Sequence, residues 1–326
     1  MRRREFIALV GGAAVWPLGA RAQQAKKVAR VACAWVADEA TVRPYEQAFL
    51  SVLRERGYVL GRDLVYESRY ARGDPNRLPG LIDELIGWAP DVLVGIEPVV
   101  RVMMTKTSTI PIVMTNASDP VASGLVKSLS RPDGNVTGVS MQFAELGPKH
   151  VELMREMLPT LTRVGQLHDT NVPGSKLHEE RTQHTVERLG LTYVPYFVAT
   201  RADLEKNFAE MEKHAPDALL GAAGGGLLFG LRQAIVDQTL RLRIPYCVST
   251  SVHTLLGALI SYGPRLEDSN RLAATYVDRI LRGAAPGELP VEQPSRFFMT
   301  INLKTAKALG ITVPSTLLAR ADEVIE

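Results

Sequence analysis

Short apolar runs alternate with amphipathic helical stretches along most of this chain. In the first half, the apolar runs typical of β-strands are residues 28–36, 64–70, 91–95 and 112–115. The stretches with helical periodicity between them are residues 45–56 and 78–88. Alternation of this kind predicts a parallel β-sheet with helices on both faces.

The same order of elements begins again near the middle of the chain. Strands are predicted at residues 163–168, 192–197, 217–221 and 245–248. Helices are predicted at residues 177–189, 204–213 and 233–242. The predicted fold class is therefore α/β, with two doubly wound parallel-sheet lobes.

The two halves also share short sequence matches. Residues 89–95 read APDVLVG and residues 215–221 read APDALLG, with two conservative differences. An Arg-Val pair, 30–31 in one half and 163–164 in the other, begins the first strand of each. These matches in one order indicate a duplication. The alternative, that Ala-Pro-Asp is a common connector between helix and strand, leaves the predicted architecture unchanged.

Three further segments are predicted to connect the lobes. Residues 136–141 lead from the first lobe to the second, residues 258–262 lead back, and residues 297–302 cross again. Helix 270–281 is expected on the first lobe and helix 303–309 on the second. The predicted domains are residues 27–140 with 264–296 (lobe 1) and 141–263 with 297–326 (lobe 2). Three crossings predict a three-strand hinge, because a few strand-end residues can absorb a closure rotation.

The first 22 residues have the pattern of a secretory signal peptide. Three arginines precede an apolar stretch over residues 6–18, and Ala20-Arg21-Ala22 is a small-x-small cleavage signal. The apolar stretch is too short to span a membrane. Residues 3–7, RREFI, also fit the core of a twin-arginine signal, although the general export route stays open. We expect cleavage after Ala22 and a periplasmic mature protein.

The charge and the cysteines narrow the function classes. Residues 1–22 carry four arginines and one glutamate, so their removal takes away the whole formal charge of +3. A near-neutral mature chain favours neither nucleic acid nor an anionic membrane as partner, and no later apolar run reaches the length of a membrane span. Cys33 and Cys247 fall in predicted strands of different lobes, so we expect free buried thiols. Cys33 also lacks the upstream apolar run of a lipidation site.

Several segments resemble one protein family. They are residues 2–7 (RRREFI), 117–121 (ASDPV), 131–139 (RPDGNVTGV), 261–264 (SYGP), 302–310 (NLKTAKALG) and 318–322 (LARAD). These segments are similar to the ABC-transporter substrate-binding family that includes tryptophan-binding members. The similarity extends over essentially the whole chain. Asp133 stands where the family pattern has a glycine.

The resemblance implies the type I periplasmic-binding fold and an extracytoplasmic solute-binding function. The implied partners are a small-molecule ligand and the permease of an ABC importer, without direct membrane insertion. It implies no catalysis, no cofactor and no metal, and we expect a monomer. It does not identify the ligand. Amino acids, including aromatic ones, are the first expectation, and aromatic or other small carboxylic compounds are the second.

Candidate binding residues in lobe 1 follow from strand order, because ligands of open α/β sheets bind beyond the carboxyl ends of the strands. These candidates are Trp35, Val36, Ala37, Glu97, Asn116, Ser118 and Asp119. Trp35 either stacks on a ligand ring or packs in the core. Glu97 either holds a ligand ammonium group or serves as the acid of a first helical turn. Asp119 precedes a proline and has the pattern of a helix cap, which leaves Asn116 and Ser118 freer to face the cleft.

Lobe 2 supplies three more candidates, which are Asn171, Gly225 and Ser249. Gly225 lies in a run of three glycines whose backbone N–H groups can approach a ligand closely. The run lacks the Lys and Ser/Thr of a phosphate-binding loop, so it does not predict a nucleotide site. His168 is predicted to pack at a strand end rather than to bind a metal.

Solute delivery has two alternatives among the function classes. An enzyme is the remote alternative, since the chain has no His-Glu-x-x-His and residues 138–142 lack the final glycine of a nucleophile elbow. A dinucleotide enzyme would need a glycine-rich first strand-helix turn, which is absent. A periplasmic sensing module for a receptor or kinase would have the same fold and pocket. Neighbouring genes for a permease and an ATPase would favour transport over sensing.

Overall fold

Two β-sheets flanked by helices form the fold in the computed structural model, which describes residues 28–172, 175–221 and 226–326. The predicted leader, residues 1–22, lies outside these ranges. The predicted α/β class is confirmed. No helix in the described ranges is both long enough and apolar enough to cross a membrane.

The first sheet is entirely parallel, with the strand order β2-β1-β3-β4-β5. Its strands are β1 (Ala29–Trp35), β2 (Leu64–Tyr70), β3 (Val92–Gly95), β4 (Ile112–Ala117) and β5 (Val136–Ser140). The helices that intervene along the chain are α1 (Glu39–Glu55), α2 (Leu78–Gly87) and α3 (Glu97–Lys106). The buried faces of β1, β3 and β4 are almost continuous apolar runs, as expected for strands covered on both sides.

The second sheet has seven strands in the order β12-β11-β10-β9-β8-β6-β7. They are β6 (Arg163–Asp169), β7 (Thr192–Val198), β8 (Ala218–Leu220), β9 (Tyr246–Val248), β10 (Ile260–Gly263), β11 (Phe298–Asn302) and β12 (Glu323–Ile325). The helices of this half, up to β10, are α4 (Phe143–Met157), α5 (Ser175–Arg188), α6 (Arg201–Lys213), α7 (Gly226–Gly230), α8 (Arg232–Arg241) and α9 (Ser251–Leu256).

The chain returns to the first sheet after β10. Helix α10 (Leu266–Leu281) packs against α1 and β4, as expected from its sequence pattern. The chain then passes beside β5, where the Ser140 N–H donates to the Glu292 carbonyl at 2.9 Å. Helices α11 (Leu303–Leu309) and α12 (Ser315–Leu318) complete the second half.

Strand β11 runs antiparallel to β10, so the second sheet is mixed rather than wholly parallel. The chain leaves this sheet at the end of β10 and comes back from the first sheet, entering β11 at the end where β10 stopped. A strand that re-enters at the same edge must run in the opposite direction. Each of the three segments predicted to connect the lobes forms a strand that pairs within one sheet. The chain passes from one sheet to the other before or after that strand.

The repeated Ala-Pro-Asp has the same structural role in both halves. Asp91 Oδ2 accepts the Arg30 N–H at 2.9 Å, and Asp217 Oδ2 accepts the Arg163 N–H at 2.8 Å. Each aspartate precedes the strand that pairs with the first strand of its sheet, and each ties the start of that first strand in place. The Ala-Pro-Asp sequence therefore forms an equivalent hydrogen bond in each half.

Helix α4 is not indicated by the hydrophobic pattern, because Gly147 and Pro148 lie inside it. The glycine is needed for packing. A Cβ atom at Gly147 would overlap the hydroxyl of Thr182 on α5. Helix α4 brings Phe143 to the end of β5, where the side chain becomes part of a cavity wall.

Cys33 and Cys247 are both free and buried, which confirms the expectation from the sequence. Cys33 lies in β1 of the first sheet and Cys247 in β9 of the second. Burial raises the pKa of both thiols well above the ordinary range, so they remain protonated at neutral pH.

Candidate functional site

A cavity of about 110 Å³ lies between the carboxyl ends of the two sheets. Its wall combines residues that follow β1, β3 and β4 with residues at the ends of β8 and β9 and in helices α7 and α9. This is the position that strand order predicts for a ligand of an α/β sheet. The volume is similar to that of a protein cavity that holds one benzene ring, about 150 Å³.

Aromatic side chains form much of the cavity wall. They are Trp35, Tyr45, Phe143, Phe229, Tyr246 and His253. The Tyr45 and Phe229 ring centroids are 6.3 Å apart, and they come from opposite sides of the cleft. His253 meets both Phe229 and Tyr246 edge to face, at 5.9 and 6.3 Å. Rings at these distances and angles pack favourably with one another and offer flat apolar surfaces to a ligand.

His253 is neutral in this wall. Burial lowers the pKa of its imidazole to about 4, with a smaller lowering from the nearby Arg232 guanidinium. Its Nδ1 lies 2.8 Å from the Thr250 hydroxyl. At neutral pH the ring therefore contributes an aromatic surface and no charge.

Glu97 is the one carboxylate among the described residues that line the cavity, and it is 2% exposed. It is the first residue of α3, and its Oε2 accepts the backbone N–H of Ser118 at 2.8 Å. Its Oε1 accepts no well-formed hydrogen bond. Burial raises the pKa of the Glu97 carboxyl, and the Ser118 N–H, the nearby Arg101 guanidinium and the Ser123 hydroxyl oppose that rise. Such an oxygen is available to a donor on a ligand.

Two hydroxyls beside Glu97 and across from it also lack partners. The Ser118 Oγ and the Ser249 Oγ are buried in the cavity wall and make no hydrogen bond with any described residue. Asn116 completes this polar part of the wall, and its Oδ1 accepts the Ser269 hydroxyl at 2.6 Å. No Lys or Arg is among the lining residues of the described ranges. The polar wall therefore consists of one acid, hydroxyls and an amide.

Seven of the ten residues predicted from the sequence line the cavity. They are Trp35, Val36, Ala37, Glu97, Asn116, Ser118 and Ser249. Gly225 lies outside the described residues, whereas the neighbouring Gly226 is part of the wall. The remaining two predicted residues, Asp119 and Asn171, are not part of the cavity wall.

Asp119 and Asn171 are occupied by local hydrogen bonds. The Asp119 Oδ1 accepts the N–H groups of Val121 and Ala122, which is the capping role that its sequence context also allowed. The Asn171 side-chain amide donates to Asp169 and to the Ala199 carbonyl, both at 3.0 Å. These bonds hold the two side chains in the loops after β4 and β6, away from the cavity.

The aromatic residues beyond Trp35 were missed by reasoning from strand ends. Tyr45 lies on α1, Phe143 begins α4, and Tyr246 is the first residue of β9. Phe229 and His253 lie on the short helices α7 and α9. One sequence signal was available, since Phe229 follows the glycine run by only three residues.

His168, predicted to pack at a strand end, is buried, and its Nε2 lies 2.7 Å from the Tyr193 hydroxyl. Among the described residues no cluster of His, Cys, Asp and Glu could hold a metal ion.

The two halves also touch outside the cavity wall. The Arg232 Nη2 lies 3.4 Å from the Thr41 hydroxyl, which joins α8 to α1 across the cleft. The Arg232 guanidinium carbon is 4.8 Å from the centre of the Phe229 ring. Asp38, the cap of α1, has a lowered pKa mainly because it accepts the Thr41 N–H, with a smaller contribution from Arg232.

Comparison with known proteins gives relatives over most of the chain. A curated tyrosine-binding protein of Clostridioides difficile (strain R20291) is 23% identical over 287 residues, which cover 88% of this chain and 82% of the relative. A solved conserved domain protein from Vibrio cholerae O1 biovar El Tor is 28% identical with a TM-score of 0.84, covering 91% of this chain and 100% of that one. An ABC domain from Streptococcus pneumonia, solved in complex with L-Trp, is 25% identical with a TM-score of 0.82, covering 90% and 100%.

The family model described as "ABC transporter substrate binding protein" matches residues 31–325. The match includes both sheets, the connecting segments and every described residue of the cavity wall. It confirms the family resemblance in the sequence. This chain belongs to the ABC transporter substrate binding protein family, whose members bind a small molecule outside the cytoplasm and work with the permease of an ABC transporter.

Proposed function

We propose that this protein binds an amino acid with an aromatic side chain and delivers it to an ABC importer. The observation that carries the proposal is the cavity wall, in which six aromatic side chains accompany one buried carboxylate with an unpartnered oxygen. A pocket of this composition combines a large apolar surface with a few polar groups that fix orientation.

The wall suggests how each part of such a ligand is recognised. The ligand ring packs among Trp35, Tyr45 and Phe229, and the burial of its apolar surface there favours binding. The ammonium group pairs with the free Oε1 of Glu97, and a charge-assisted hydrogen bond there offsets the burial of the carboxylate. The ligand carboxylate takes donors from the Ser118 and Ser249 hydroxyls. No basic side chain among the described lining residues is needed for this arrangement.

The relatives support the same ligand class. The curated relative is named as a tyrosine-binding protein, and the structure from Streptococcus pneumonia contains L-Trp. Both ligands have an aromatic ring, an ammonium group and a carboxylate. The aromatic wall and Glu97 are the features of this chain that suit all such ligands.

Closure of the two lobes is the proposed mechanism of capture. A ligand that touches residues of both sheets favours the closed form by its differential affinity for that form. Tyr45 belongs to one half and Phe229 to the other, so a ligand ring that packs against both side chains favours the form in which the two halves lie close together. The permease then distinguishes the closed, loaded protein from the open one.

A thermal-shift screen of the twenty amino acids, benzoate and 4-hydroxybenzoate, followed by calorimetry on the hits, tests the ligand class. The expected result is that L-tryptophan, L-tyrosine or L-phenylalanine raises the melting temperature and that the aromatic acids without an amine do not. Stabilisation by benzoate but by no aromatic amino acid would assign Glu97 to a different role and reject the proposal.

Several finer features belong to the same proposal. We infer export by the leader with cleavage after Ala22, a periplasmic mature protein, a monomer and no catalytic activity. We also infer two lobes with the boundaries given above, residues 27–140 with 264–296 and residues 141–263 with 297–326. The two separate sheets support the lobes, and the pattern of residues 1–22 supports the export.

A further inference from the structure

Glu46 on α1 is a buried carboxylate that accepts hydrogen bonds from four side chains. Its exposure is 8%. Its Oε1 accepts the Trp35 indole N–H and the Tyr66 hydroxyl, each at 3.0 Å, and also the Ser68 hydroxyl. Its Oε2 accepts the Tyr70 hydroxyl at 2.9 Å. All four donors belong to β1 and β2 or to their ends, so the carboxylate is held against the first sheet.

No Lys, Arg or His among the described residues forms an ion pair with Glu46. An ionised carboxylate has about four lone-pair sites over its two oxygens, and here three donors converge on Oε1 and one bonds to Oε2. Burying such a group is costly, and replacing buried charges with apolar residues is often neutral or stabilising. Packing of the core alone therefore does not explain why a buried glutamate stands at this position. A role in the cavity explains it better, because one of the four donors belongs to the cavity wall.

Trp35 is that donor. The indole has one N–H group and no acceptor, and Glu46 takes the N–H. The ring is 4% exposed and lines the cavity beside Tyr45, the residue before Glu46 on α1. Trp35 therefore offers the cavity an apolar ring surface in a fixed orientation and no hydrogen-bond donor.

We propose that Glu46 is a positioning residue of the binding site, which fixes the Trp35 indole so that its ring surface forms the ligand wall. The inference rests on the proposed function, because it assigns Trp35 to the ligand's ring. It also predicts specificity. The wall formed by Trp35 selects a flat apolar group, because the indole N–H is bonded to Glu46 and cannot donate to an acceptor on the ligand.

A double-mutant cycle on Trp35 and Glu46 tests the coupling. Glu46→Met keeps the length of the side chain and removes the acceptor, and Trp35→Phe keeps an aromatic ring and removes the N–H. We expect Glu46→Met to weaken L-tryptophan and L-tyrosine binding by about tenfold in the parent and by less than twofold in the Trp35→Phe background, because a hydrogen bond to a charged group carries the coupling. Equal factors in both backgrounds would mean that Glu46 acts only through general stability.

Fluorescence gives a second readout that needs no ligand. The chain has three tryptophans, and Trp16 lies in the leader that the proposed cleavage after Ala22 removes, so Trp88→Phe leaves Trp35 as the sole indole of the mature protein. Its time-resolved anisotropy is expected to show only the tumbling of the whole protein, and Glu46→Met is expected to add a fast local component. An unchanged anisotropy decay would overturn the positioning role.

Asp278→Asn is the matched control for lost stability. Asp278 is also a buried carboxylate associated with the first sheet, bonded to Arg56 at 3.1 Å and Arg282 at 2.6 Å, and it does not line the cavity. We expect this variant to lower the melting temperature and to change ligand affinity by less than twofold.

Two contingencies keep the test decisive. If Glu46→Met does not fold, the cycle is run with Glu46→Gln, whose neutral amide makes a weaker hydrogen bond; a coupling of about twofold supports the inference and none rejects it. If no aromatic amino acid binds the parent protein, the proposed function fails, and the anisotropy alone still decides whether Glu46 immobilises Trp35.

Discussion

A Cβ atom placed on Gly226 would lie 2.5 Å from both the Cβ and the Cγ1 of Val36. Val36 follows β1 of the first sheet, and Gly226 begins α7 beside the second sheet. Both line the cavity. The two halves therefore approach each other so closely here that residue 226 has no room for a side chain.

Gly226→Ala is expected to hinder closure. The added methyl group would clash with the Val36 Cβ, which is fixed to the backbone and cannot rotate away. The two loops would therefore have to separate. We expect affinity for an aromatic amino acid to fall at least tenfold and the liganded protein to keep a larger radius of gyration by X-ray scattering. Gly230→Ala, at the other end of α7 with nothing within 4 Å of the new atom, is the control and should behave as the parent.

Glu97→Gln separates the ammonium site from the ring site. The amide cannot pair with a ligand ammonium as a carboxylate does, so affinity for L-tryptophan or L-tyrosine is expected to fall by about 10- to 100-fold. Affinity for 3-phenylpropionate, which lacks the amine, should be weak in the parent and no weaker in the variant. Calorimetry measures both, and an equal loss for the two ligands would show that Glu97 only caps α3.

The same residue predicts a pH dependence of binding. Burial raises the pKa of the Glu97 carboxyl above 4.5, so the carboxyl becomes neutral at a higher pH than an exposed glutamate does. Affinity for an ammonium-bearing ligand should therefore decline as the pH falls through that raised pKa. In Glu97→Gln this decline should disappear, and its persistence would place the titrating group elsewhere.

Arg232 is expected to slow ligand release. Its guanidinium contacts Thr41 across the cleft and covers the Phe229 ring, so it acts on the closed form. Arg232→Ala should raise the dissociation rate about fivefold and change the association rate little, as stopped-flow fluorescence would measure. Arg241→Ala, on the same helix and paired with Glu212 at 2.8 Å on the surface, is the control. A change confined to the association rate would contradict this role.

Buried histidines predict a loss of stability in acid. Burial lowers the pKa of His150, His168 and His253 to about 4, and it lowers the pKa of His178 as well. Between pH 6.5 and 4 the unfolded chain binds protons that the folded chain does not, so the free energy of unfolding falls as the pH falls. The raised pKa of Glu97 and of Asp169 opposes this effect in part.

We expect the free energy of unfolding to drop by more than about 3 kcal/mol from pH 7 to pH 5, measured by urea denaturation. His178→Gln should reduce that drop, whereas His184→Gln, on the exposed face of the same helix, should leave it unchanged. A stability that stays constant over this range would contradict the burial of the imidazoles.

Much of the architecture follows from periodicity alone. The strand at Leu64–Tyr70 and the helix at Leu303–Leu309 have the predicted bounds, and most other elements differ by a few residues. Helix α4 and the antiparallel pair β10–β11 could not be predicted. The first depends on a glycine that is needed for packing on α5, and the second depends on where the chain re-enters the sheet.

The site was predictable where strand ends define it. Trp35 is the last residue of β1, and Glu97, Ser118 and Ser249 follow buried strands. The carboxyl ends of parallel strands meet at one edge of a sheet. Asp119 and Asn171 follow the same rule and yet face their own loops, because short polar side chains bond readily to nearby backbone.

The sequence by itself determined the α/β class, the family and the polar part of the cavity wall, because these depend on local periodicity and on residues next to strand ends. Only the tertiary structure decided the aromatic wall beyond Trp35 and the role of Glu46. Tyr45 and Phe229 lie on helices of different halves, and they become neighbours only when the two sheets face each other. Contacts between distant segments depend on packing geometry, which no local pattern of residues encodes.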